Sequence, residues 1–493
     1  MNDRIRHVGL ALTLLFVVLA GQLTYLQIVD ADDLSEHPGN VRKVLRTYAE
    51  PRGLILSADE KILARSVGTT TEFQFRRLYP THSLFGHITG MFSFTFGATG
   101  VESTFNNELA GRSEDLQFRN LGDLLVGKEH AGTVVLTVRS DAQAAARDAL
   151  AGRAGSVVAL NPKTGEVLAM YSEPGFDPEP LSAHGQTDVR AAFDTLNADP
   201  AKPMLPRAWR EVYPPGSTFK IVTATAAIDH GVATPERDFP VLTELDLPLT
   251  DRSLKNFGGS RCGGTLVESF RRSCNTTFGQ LGLDLGEKLL DTMADFGIGE
   301  SVPLDLAPKP ARSLGPQVGT FTADAPKFAQ AGIGQGDVAV TPLQMALVTA
   351  AIGNGGVIMT PHVVREVRDV DGVVVNRIDP EPWRTATSPE TAALVRDMMI
   401  QVVANGTGSR GQIPGVTVAG KTGTAQAPGG PPHTWFVAFA PAENPVVAVA
   451  VLVERGGGES LGAGDEATGG RVAAPVAQSV MSVILNSPPL PAG

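Results

Sequence analysis

Strand-like segments stand at both ends of residues 133–486, and the long stretch between them is mostly helix and loop. Near the start, TVVLTV (133–138) is a short apolar run, and GSVVALNPKTGEVLAMYS (155–172) has two apolar runs around a turn, which predicts a β-hairpin. Near the end, GVTVAGKTGTA, TWFVAFAP and PVVAVAVLVE are three more predicted strands, followed by a final helix. Antiparallel strands with separate helices form α+β folds, so we predict an α+β domain whose first and last strands share one sheet.

The N-terminus carries one apolar run, from about Val8 to Val29, with basic residues before it and acidic residues after it. These charged residues are Arg4, Arg6, Asp30, Asp32 and Asp33. A run of about 20 apolar residues can cross a bilayer, and basic residues mark the cytoplasmic side. We predict that residues 1–29 are a cytoplasmic N-terminus and a single-pass membrane anchor, with the body of the chain extracytoplasmic. A cleaved signal peptide is the alternative, because polar residues such as Thr24 weaken the outer half of the run.

Composition excludes several classes of protein. The chain has 493 residues, of which 42% are hydrophobic and 19% charged, as in ordinary globular proteins of two or three domains. The formal net charge of -11 and the lack of a lysine and arginine run argue against a nucleic-acid partner. No cysteine and histidine cluster has the spacing of metal ligands, so neither structural zinc nor another cofactor is expected.

The chain contains two cysteines, Cys262 and Cys274, only twelve positions apart. Disulfides form and persist outside the cytoplasm, where the body of this chain is predicted to lie. We therefore predict a disulfide between them, and a pair of buried free thiols is the alternative.

Residues 30–132 mix short strand-like runs with strand and helix breakers. They predict a small, irregular pedestal domain without evident chemistry. The α+β domain of residues 133–486 follows, and residues 487–493 form a C-terminal tail.

Two hydroxyl residues of the α+β domain are followed three positions later by glutamine or glutamate, the pattern of a capping box. One pair is Ser140 with Gln143, and the other is Thr265 with Glu268. Each pair predicts the start of a helix.

The stretch YPPGSTFK, residues 213–220, places Ser217 three positions before Lys220, directly after a rigid turn. Serine is a favoured N-cap, so one interpretation is that the turn only opens the alanine-rich helix that follows. A lysine near a helix N-terminus opposes the macrodipole, however, and residues three apart share one helix face. The lysine amine can therefore accept the proton of the serine hydroxyl, as an acyl-transfer nucleophile requires.

Two further short motifs follow along the chain. Ser273-Cys274-Asn275 comes at the predicted end of a helix, where the serine can relay protons and the asparagine can bind a substrate amide. The alternative is that both residues only punctuate two helices. Lys-Thr-Gly occurs at 163–165, in a predicted hairpin turn, and again at 421–423, at the end of a predicted strand. Only the second follows the two serine motifs, so we interpret the first as structural and the second as functional.

The order Ser-x-x-Lys, Ser-x-Asn, Lys-Thr-Gly resembles the penicillin-binding protein and serine β-lactamase superfamily. GSVVALNPKTGEVLAM, GIGQGDVAVTPLQMA, GVTVAGKTGTAQ and HTWFVAFAP look like segments of the transpeptidase domain of class B penicillin-binding proteins. RGLILSADEKILA is similar to the pedestal of that class, and the short pedestal is most like that of an actinobacterial subgroup of monofunctional D,D-transpeptidases. The resemblance implies a β-lactamase/transpeptidase-like fold, with an antiparallel sheet, helices and an all-helical subregion, after a pedestal and a membrane helix.

The resemblance also implies a role for each motif residue. Ser217 would attack the carbonyl between the two terminal D-alanines of a peptidoglycan stem peptide, and the uncharged Lys220 amine would accept its proton. The backbone N–H groups of Ser217 and Thr424 would form the oxyanion hole, and Lys421 would help to lower the pKa of Lys220. The substrate carboxylate would be held by Lys421, Thr422, Gly423 and Thr424, with Ser273 and Asn275 on the opposite wall.

Covalent inhibition by β-lactams follows from the same resemblance, as does a polytopic membrane glycosyltransferase partner from the elongation or division machinery. No glutamate with a nearby asparagine stands out as the water-activating pair of class A β-lactamases, which favours a β-lactam target over a β-lactam hydrolase. The alternatives are a D,D-carboxypeptidase, a β-lactam sensor and a division scaffold that use the same serine site. A sensor would be expected to have several membrane helices or a cytoplasmic signalling domain.

Overall fold

The computed structural model describes residues 2–28, 48–71, 73–117, 131–427, 429–456 and 467–487. The chain forms two compact units, one of Met1–Pro51 with Val67–Arg76 and the other of Arg52–Ser66 with Arg77–Gly493. The aspartates predicted to follow the membrane helix, the pedestal up to residue 47 and the predicted tail beyond residue 487 lie outside the described residues.

The α-helices range from single turns to 27 residues. In chain order they are α1 (Asn2–Ile28), α2 (Gly86–Thr89), α3 (Gly100–Thr104), α4 (Asn106–Leu109), α5 (Glu114–Gln117), α6 (Ser140–Leu150), α7 (Gln186–Ala198), α8 (Arg207–Arg210), α9 (Lys220–Asp229), α10 (Leu266–Arg272), α11 (Asn275–Leu285), α12 (Lys288–Asp295), α13 (Thr320–Ala323), α14 (Pro326–Ala331), α15 (Pro342–Gly353), α16 (Pro389–Asn405) and α17 (Gly469–Asn486).

The strands are short in the first part of the chain and longest near its end. They are β1 (Ile55–Leu56), β2 (Ile62–Gly68), β3 (Phe75–Leu78), β4 (Phe92–Ser93), β5 (Gly97–Ala98), β6 (Thr133–Leu136), β7 (Gly155–Leu160), β8 (Val167–Glu173), β9 (Asp238–Leu242), β10 (Glu244–Asp246), β11 (Ser253–Lys255), β12 (Cys262–Thr265), β13 (Val357–Met359), β14 (Val364–Arg368), β15 (Val374–Arg377), β16 (Pro382–Thr385), β17 (Ala419–Ala427), β18 (Gly430–Ala440) and β19 (Val447–Val453).

Helix α1 belongs to the first unit and is the one helix of the described residues that is long and apolar enough to cross a membrane. Its 23 residues Arg4–Leu26 have a mean hydropathy of 1.9, and none of them is buried. At the rise of an α-helix they extend about 35 Å, against a hydrocarbon thickness of about 30 Å. Thr24 donates its hydroxyl proton to the Ala20 carbonyl 2.9 Å away, so its polar group is satisfied within the helix. The predicted apolar helix is confirmed.

The second unit is built around a five-stranded antiparallel sheet in the order β17-β18-β19-β7-β8. The prediction that strands from both ends of the region share one sheet is therefore confirmed for β7 and β8. Helices cover both faces, so every residue of β19 is buried. Alternate residues face different cores: Val157 and Val449 pack with α6 and α17, whereas Val158 and Ala450 pack with the helices of the middle segment.

A second sheet of this unit contains β15, β14, β6, β1 and β2 in that order. Strand β6 pairs in parallel with β1 and antiparallel with β14, which lies between β13 and β15 in the middle of the predicted α+β domain. The TVVLTV segment, expected to join the five-stranded sheet, therefore lies in the second sheet with β1 and β14. The expectation was wrong because strand partners far apart in the chain are not encoded in the local apolar pattern.

Between β8 and β17 the chain is mostly helix and loop, with short two-stranded ribbons and the strands β14 and β15 of the second sheet. Helix α9 is the alanine-rich helix predicted after YPPGSTFK, and only its last two residues are not buried. Helix α10 begins with the predicted capping box of Thr265 and Glu268. The capping box predicted at Ser140 is absent, because Arg139 is the N-cap of α6 and no side chain caps that helix.

Candidate active site

Ser217 lies in the 3-10 helix Gly216–Phe219, immediately before α9, and not at the N-cap of the α-helix. Gly216 has a positive φ of 54°, and its N–H donates to the Gly334 carbonyl at 2.9 Å. A Cβ added to Gly216 would lie 2.8 Å from the backbone oxygen of Thr424 in β17. Glycine is needed here both for the backbone angle and for the close approach of the serine turn to the sheet.

Lys220 is fully buried at the start of α9. Its Nζ donates to the Ser273 carbonyl at 2.8 Å, to Asn275 Oδ1 at 2.8 Å and to Ser273 Oγ at 3.3 Å. Burial, with the charge of Lys421 as a second cause, lowers the pKa of Lys220 well below its ordinary value. No hydrogen bond joins Lys220 to Ser217 within the part of the chain described, so the predicted contact is not made in this state.

The Ser-Cys-Asn motif forms the corner between α10 and α11. Ser273 ends α10 in the left-handed region, with φ at 64°, and Asn275 begins α11. The predicted disulfide is formed: Cys274 is bonded to Cys262, and their Cα atoms are 5.4 Å apart. The buried Asn256, which sequence reasoning missed, accepts the backbone N–H of Asn275 at 2.7 Å. The corner is therefore held by covalent and hydrogen-bonded contacts.

Lys421 lies in β17 and is also fully buried. Its Nζ donates to Ser273 Oγ at 2.9 Å and to the Thr422 carbonyl at 3.2 Å. Burial lowers the pKa of Lys421 from 10.5 to about 7. The two lysines therefore share the hydroxyl oxygen of one serine, and each ammonium disfavours the protonation of the other.

One cavity of about 290 Å³ lies over this network. Of the residues predicted for the site, it is lined by Ser217, Ser273, Asn275, Thr422, Gly423 and Thr424. Lys220 and Lys421 do not line the cavity; each donates a hydrogen bond to Ser273, which does line it. The structure thus brings all three motifs together and separates two buried lysines from a lining of hydroxyl and amide groups.

The close packing around Gly423 explains why the third motif ends in glycine. A Cβ on Gly423 would lie 2.8 Å from the Pro215 carbonyl oxygen and 2.9 Å from the side chain of Thr218. The serine turn therefore packs directly on β17, next to Thr424. The first Lys-Thr-Gly does not line this cavity: Lys163 is exposed in the turn between β7 and β8, as predicted.

Several lining residues belong to no motif and were missed by the sequence analysis. They are Phe257, Arg272, Ile333, Gln335, Thr407, Thr468, Gly469 and Gly470. Paired or closely spaced glycines mark two of these segments, Gly406-Thr407-Gly408 and Thr468-Gly469-Gly470, and this was the available signal.

Comparison with known proteins agrees with this geometry. Residues 155–482 match the penicillin binding protein transpeptidase domain, which is more than half of the chain. The chain belongs to the penicillin-binding protein transpeptidase family. Residues 52–135 also match the penicillin binding protein A dimerisation domain.

Relatives of this family resemble the chain over almost its whole length. Peptidoglycan D,D-transpeptidase PbpA of Mycolicibacterium smegmatis is 39% identical, with 98% of this chain and 99% of the relative covered. The protein of the same name from Mycobacterium tuberculosis is 37% identical, with 99% and 100% covered. The resemblance drawn from the three motifs, including the actinobacterial subgroup, is confirmed.

Solved structures give the same result. The ceftriaxone acyl-enzyme complex of penicillin-binding protein A from M. tuberculosis superposes with a TM-score of 0.82 at 36% identity, over 90% of this chain and 100% of the other. Its penicillin G acyl-enzyme complex superposes with a TM-score of 0.80 at 36% identity, over 89% and 100%. The predicted fold class is confirmed.

Proposed function

We propose that this chain is a peptidoglycan D,D-transpeptidase that works through an acyl-enzyme on Ser217. The observation that carries the proposal is the convergence at one cavity of a serine on a rigid turn, a second serine and two buried lysines bonded to that second serine. The similar mycobacterial proteins are named D,D-transpeptidases, and the similar structures are acyl-enzyme complexes with β-lactams.

In acylation, the Ser217 oxygen forms an ester with the acyl carbon of the penultimate D-alanine, and the C–N bond to the terminal D-alanine breaks. The neutral Lys220 amine takes the hydroxyl proton, and a proton is returned to the departing amine. The lowered pKa of Lys220 raises its neutral fraction near pH 7, which suits it to this role. Ser273 Oγ lies within hydrogen-bonding distance of both lysines and can relay the proton towards the leaving group.

Charge that develops on the attacked carbonyl oxygen is stabilised by the backbone N–H groups of Ser217 and Thr424. The proposal is supported by the direct packing of the serine turn on β17 at Gly423 and by the presence of both Ser217 and Thr424 in the lining of the cavity. Loss of one oxyanion donor typically lowers turnover by about 10²–10³-fold.

The terminal carboxylate of the acyl donor is held by the β17 side of the cavity. Thr422 and Thr424 line that side and present hydroxyl groups, and Gly423 between them lets the serine turn pack against the strand. Lys421 adds positive charge from outside the cavity lining. Ser273 and Asn275 form the opposite wall, where the Asn275 amide faces the substrate peptide.

Release of D-alanine leaves the acyl group on Ser217. An amine from a neighbouring stem peptide then attacks the ester, forms the cross-linking amide and frees the serine. A penicilloyl ester has its amine still tethered and excludes the acceptor, so β-lactams inhibit the enzyme. Transfer to water in place of an amine would make the protein a D,D-carboxypeptidase.

The apolar helix and the family support one cellular setting. Helix α1 anchors the chain by a single pass, with the N-terminus in the cytoplasm and residues 133–486, the transpeptidase domain, outside it. Residues 30–132 form the pedestal, and a polytopic membrane glycosyltransferase supplies the glycan strands. The charge bias around α1 and the two family matches support this arrangement.

Intact-mass spectrometry with penicillin G tests the chemistry. One penicilloyl group should add to each chain and map to the peptide that contains PPGSTFK, and Ser217→Ala should abolish it. Incubation with a stem peptide ending in D-Ala-D-Ala should release D-alanine and, with an amine acceptor, give a new amide. Release without any amide product, at all acceptor concentrations, would assign the carboxypeptidase reaction.

A further inference from the structure

Thr407 lies at the active-site cavity, on the turn between α16 and β17, and it belongs to none of the three motifs. Its Oγ1 lies 2.6 Å from the Oγ1 of Thr422, the middle residue of the catalytic Lys-Thr-Gly. Both residues line the cavity. The hydroxyl that is proposed to bind the substrate carboxylate is thus already bonded to a second hydroxyl.

The position of this turn is fixed by close packing of glycines. A Cβ on Gly406 would lie 2.8 Å from a backbone oxygen of α10, and one on Gly408 would lie 3.1 Å from the ring of Phe436. A Cβ on Gly470, at the start of α17, would lie 2.2 Å from the Thr407 carbonyl oxygen. The turn is held between α10, β18 and α17 without room for further side chains, so Thr407 has little freedom to move away from β17.

The direction of the bond between the two threonines follows from proton counting. A hydroxyl has one proton to donate, and a carboxylate has none. If Thr422 donated to Thr407, it would present only lone pairs to the carboxylate and repel it. Thr422 can donate to the carboxylate only when Thr407 is the donor in the 2.6 Å hydrogen bond between the two hydroxyls.

We propose that Thr407 is a positioning residue that donates to Thr422 and so directs the Thr422 proton at the terminal carboxylate of the acyl donor. The inference rests on the proposed function, in which this carboxylate binds at Thr422 and Thr424. Successive hydrogen bonds polarise one another, so the pair binds an anion more tightly than Thr422 does alone. Thr407 thereby contributes to selection for donors that carry a free carboxylate.

The test compares two thioester donors that differ only in charge, N-benzoyl-D-alanyl-mercaptoacetic acid and its methyl ester, on the full-length protein in detergent. Thiol release gives kcat/KM for each. Thr407→Val keeps the shape but removes the hydroxyl that donates to Thr422, and should lower kcat/KM for the acid about fivefold and for the ester less than about twofold, as expected for the loss of one hydrogen bond between neutral groups. Thr407→Ser should restore the rate with the acid.

Two further variants separate positioning from a general structural effect. Ser409→Ala changes a hydroxyl of the same turn that does not line the cavity, and should leave both rates unchanged. Thr422→Val should reproduce the selective loss of kcat/KM for the acid. Adding Thr407→Val to it should cause no further loss, because Thr407 affects the carboxylate only through Thr422.

Equal losses with acid and ester, or an unchanged rate with the acid, would overturn the role of Thr407, as would failure of Thr407→Ser to restore it. The proposed function fails in a different way. In that case the unmodified protein would consume neither donor and take up no penicillin G, and the inference would fail with it.

Discussion

Replacement of Lys421 by methionine should stabilise the protein at pH 7 while it impairs acylation. Methionine has a similar length and volume but cannot be protonated. Lys421 is fully buried, and its pKa falls from 10.5 to about 7 on folding. The folded state therefore binds fewer protons than the unfolded chain between these two pH values, and wild-type stability rises with pH through that window.

The magnitude follows from the two pKa values. The lysine lowers the free energy of unfolding by about 4 kcal/mol at pH 7 and by about 2 kcal/mol at pH 9, relative to a group that does not titrate. Methionine removes this destabilisation. It also loses the hydrogen bonds to Ser273 Oγ and the Thr422 carbonyl, which contribute about 1 kcal/mol each. Lys421→Met should thus raise the free energy of unfolding by about 2 kcal/mol at pH 7 and leave it nearly unchanged at pH 9.

Urea unfolding of full-length protein in detergent, followed by tryptophan fluorescence, measures this difference at both pH values. Lys163→Met is the matched control, because Lys163 stands in the other Lys-Thr-Gly and is exposed; it should change the free energy of unfolding by less than about 0.5 kcal/mol. Penicillin G acylation of Lys421→Met should be slowed, since Ser273 and Thr422 lose a partner. A stability difference that stays the same at pH 7 and pH 9 would show that the pKa of Lys421 is not lowered, and would refute the reasoning.

Two other changes test the site. Lys220→Met removes the proposed proton acceptor and should slow penicillin G acylation by about 10²–10⁴-fold. Lys220→Arg keeps a charge that is not released near neutral pH, so it should not restore the rate. Nearly normal acylation of either variant would exclude the base role. Loss of the disulfide in Cys262→Ala/Cys274→Ala should lower the free energy of unfolding by about 3 kcal/mol and slow acylation. Labelling of both cysteines in unfolded, unreduced wild-type protein would show that the bridge is not formed.

The local pattern of the sequence determined the apolar helix, the β7–β8 hairpin, the strands β17 to β19 and the three motifs in their order. Each depends on neighbouring residues only: hydrophobic period, turn chemistry and short spacings. The spacing of Ser217 and Lys220 likewise predicted that both residues are helical, although the structure places Ser217 in a 3-10 helix and Lys220 at the start of α9. These features are present in the folded protein because the tertiary contacts favour the same elements as the local conformational preference.

The two capping boxes show where this agreement ends. Thr265 with Glu268 forms the box, whereas Ser140, with the same spacing to Gln143, does not. The Ser140 N–H instead donates to Asp59 at 2.8 Å, and the Gln143 side chain donates to the Met170 carbonyl at 3.0 Å. Both partners are remote in the chain, so no local pattern could reveal them.

Only the tertiary structure decided the rest of the site. It placed Lys220 on Ser273 and Asn275 and not on Ser217, left the lysines out of the cavity lining, and brought Thr407 to Thr422. It also placed β6 in the second sheet, where β6 pairs with β1 and β14, and not in the five-stranded sheet. A short motif specifies which chemical groups are available, but their hydrogen-bond partners and burial, which set protonation and direction, come from segments distant in sequence that meet only when the chain packs.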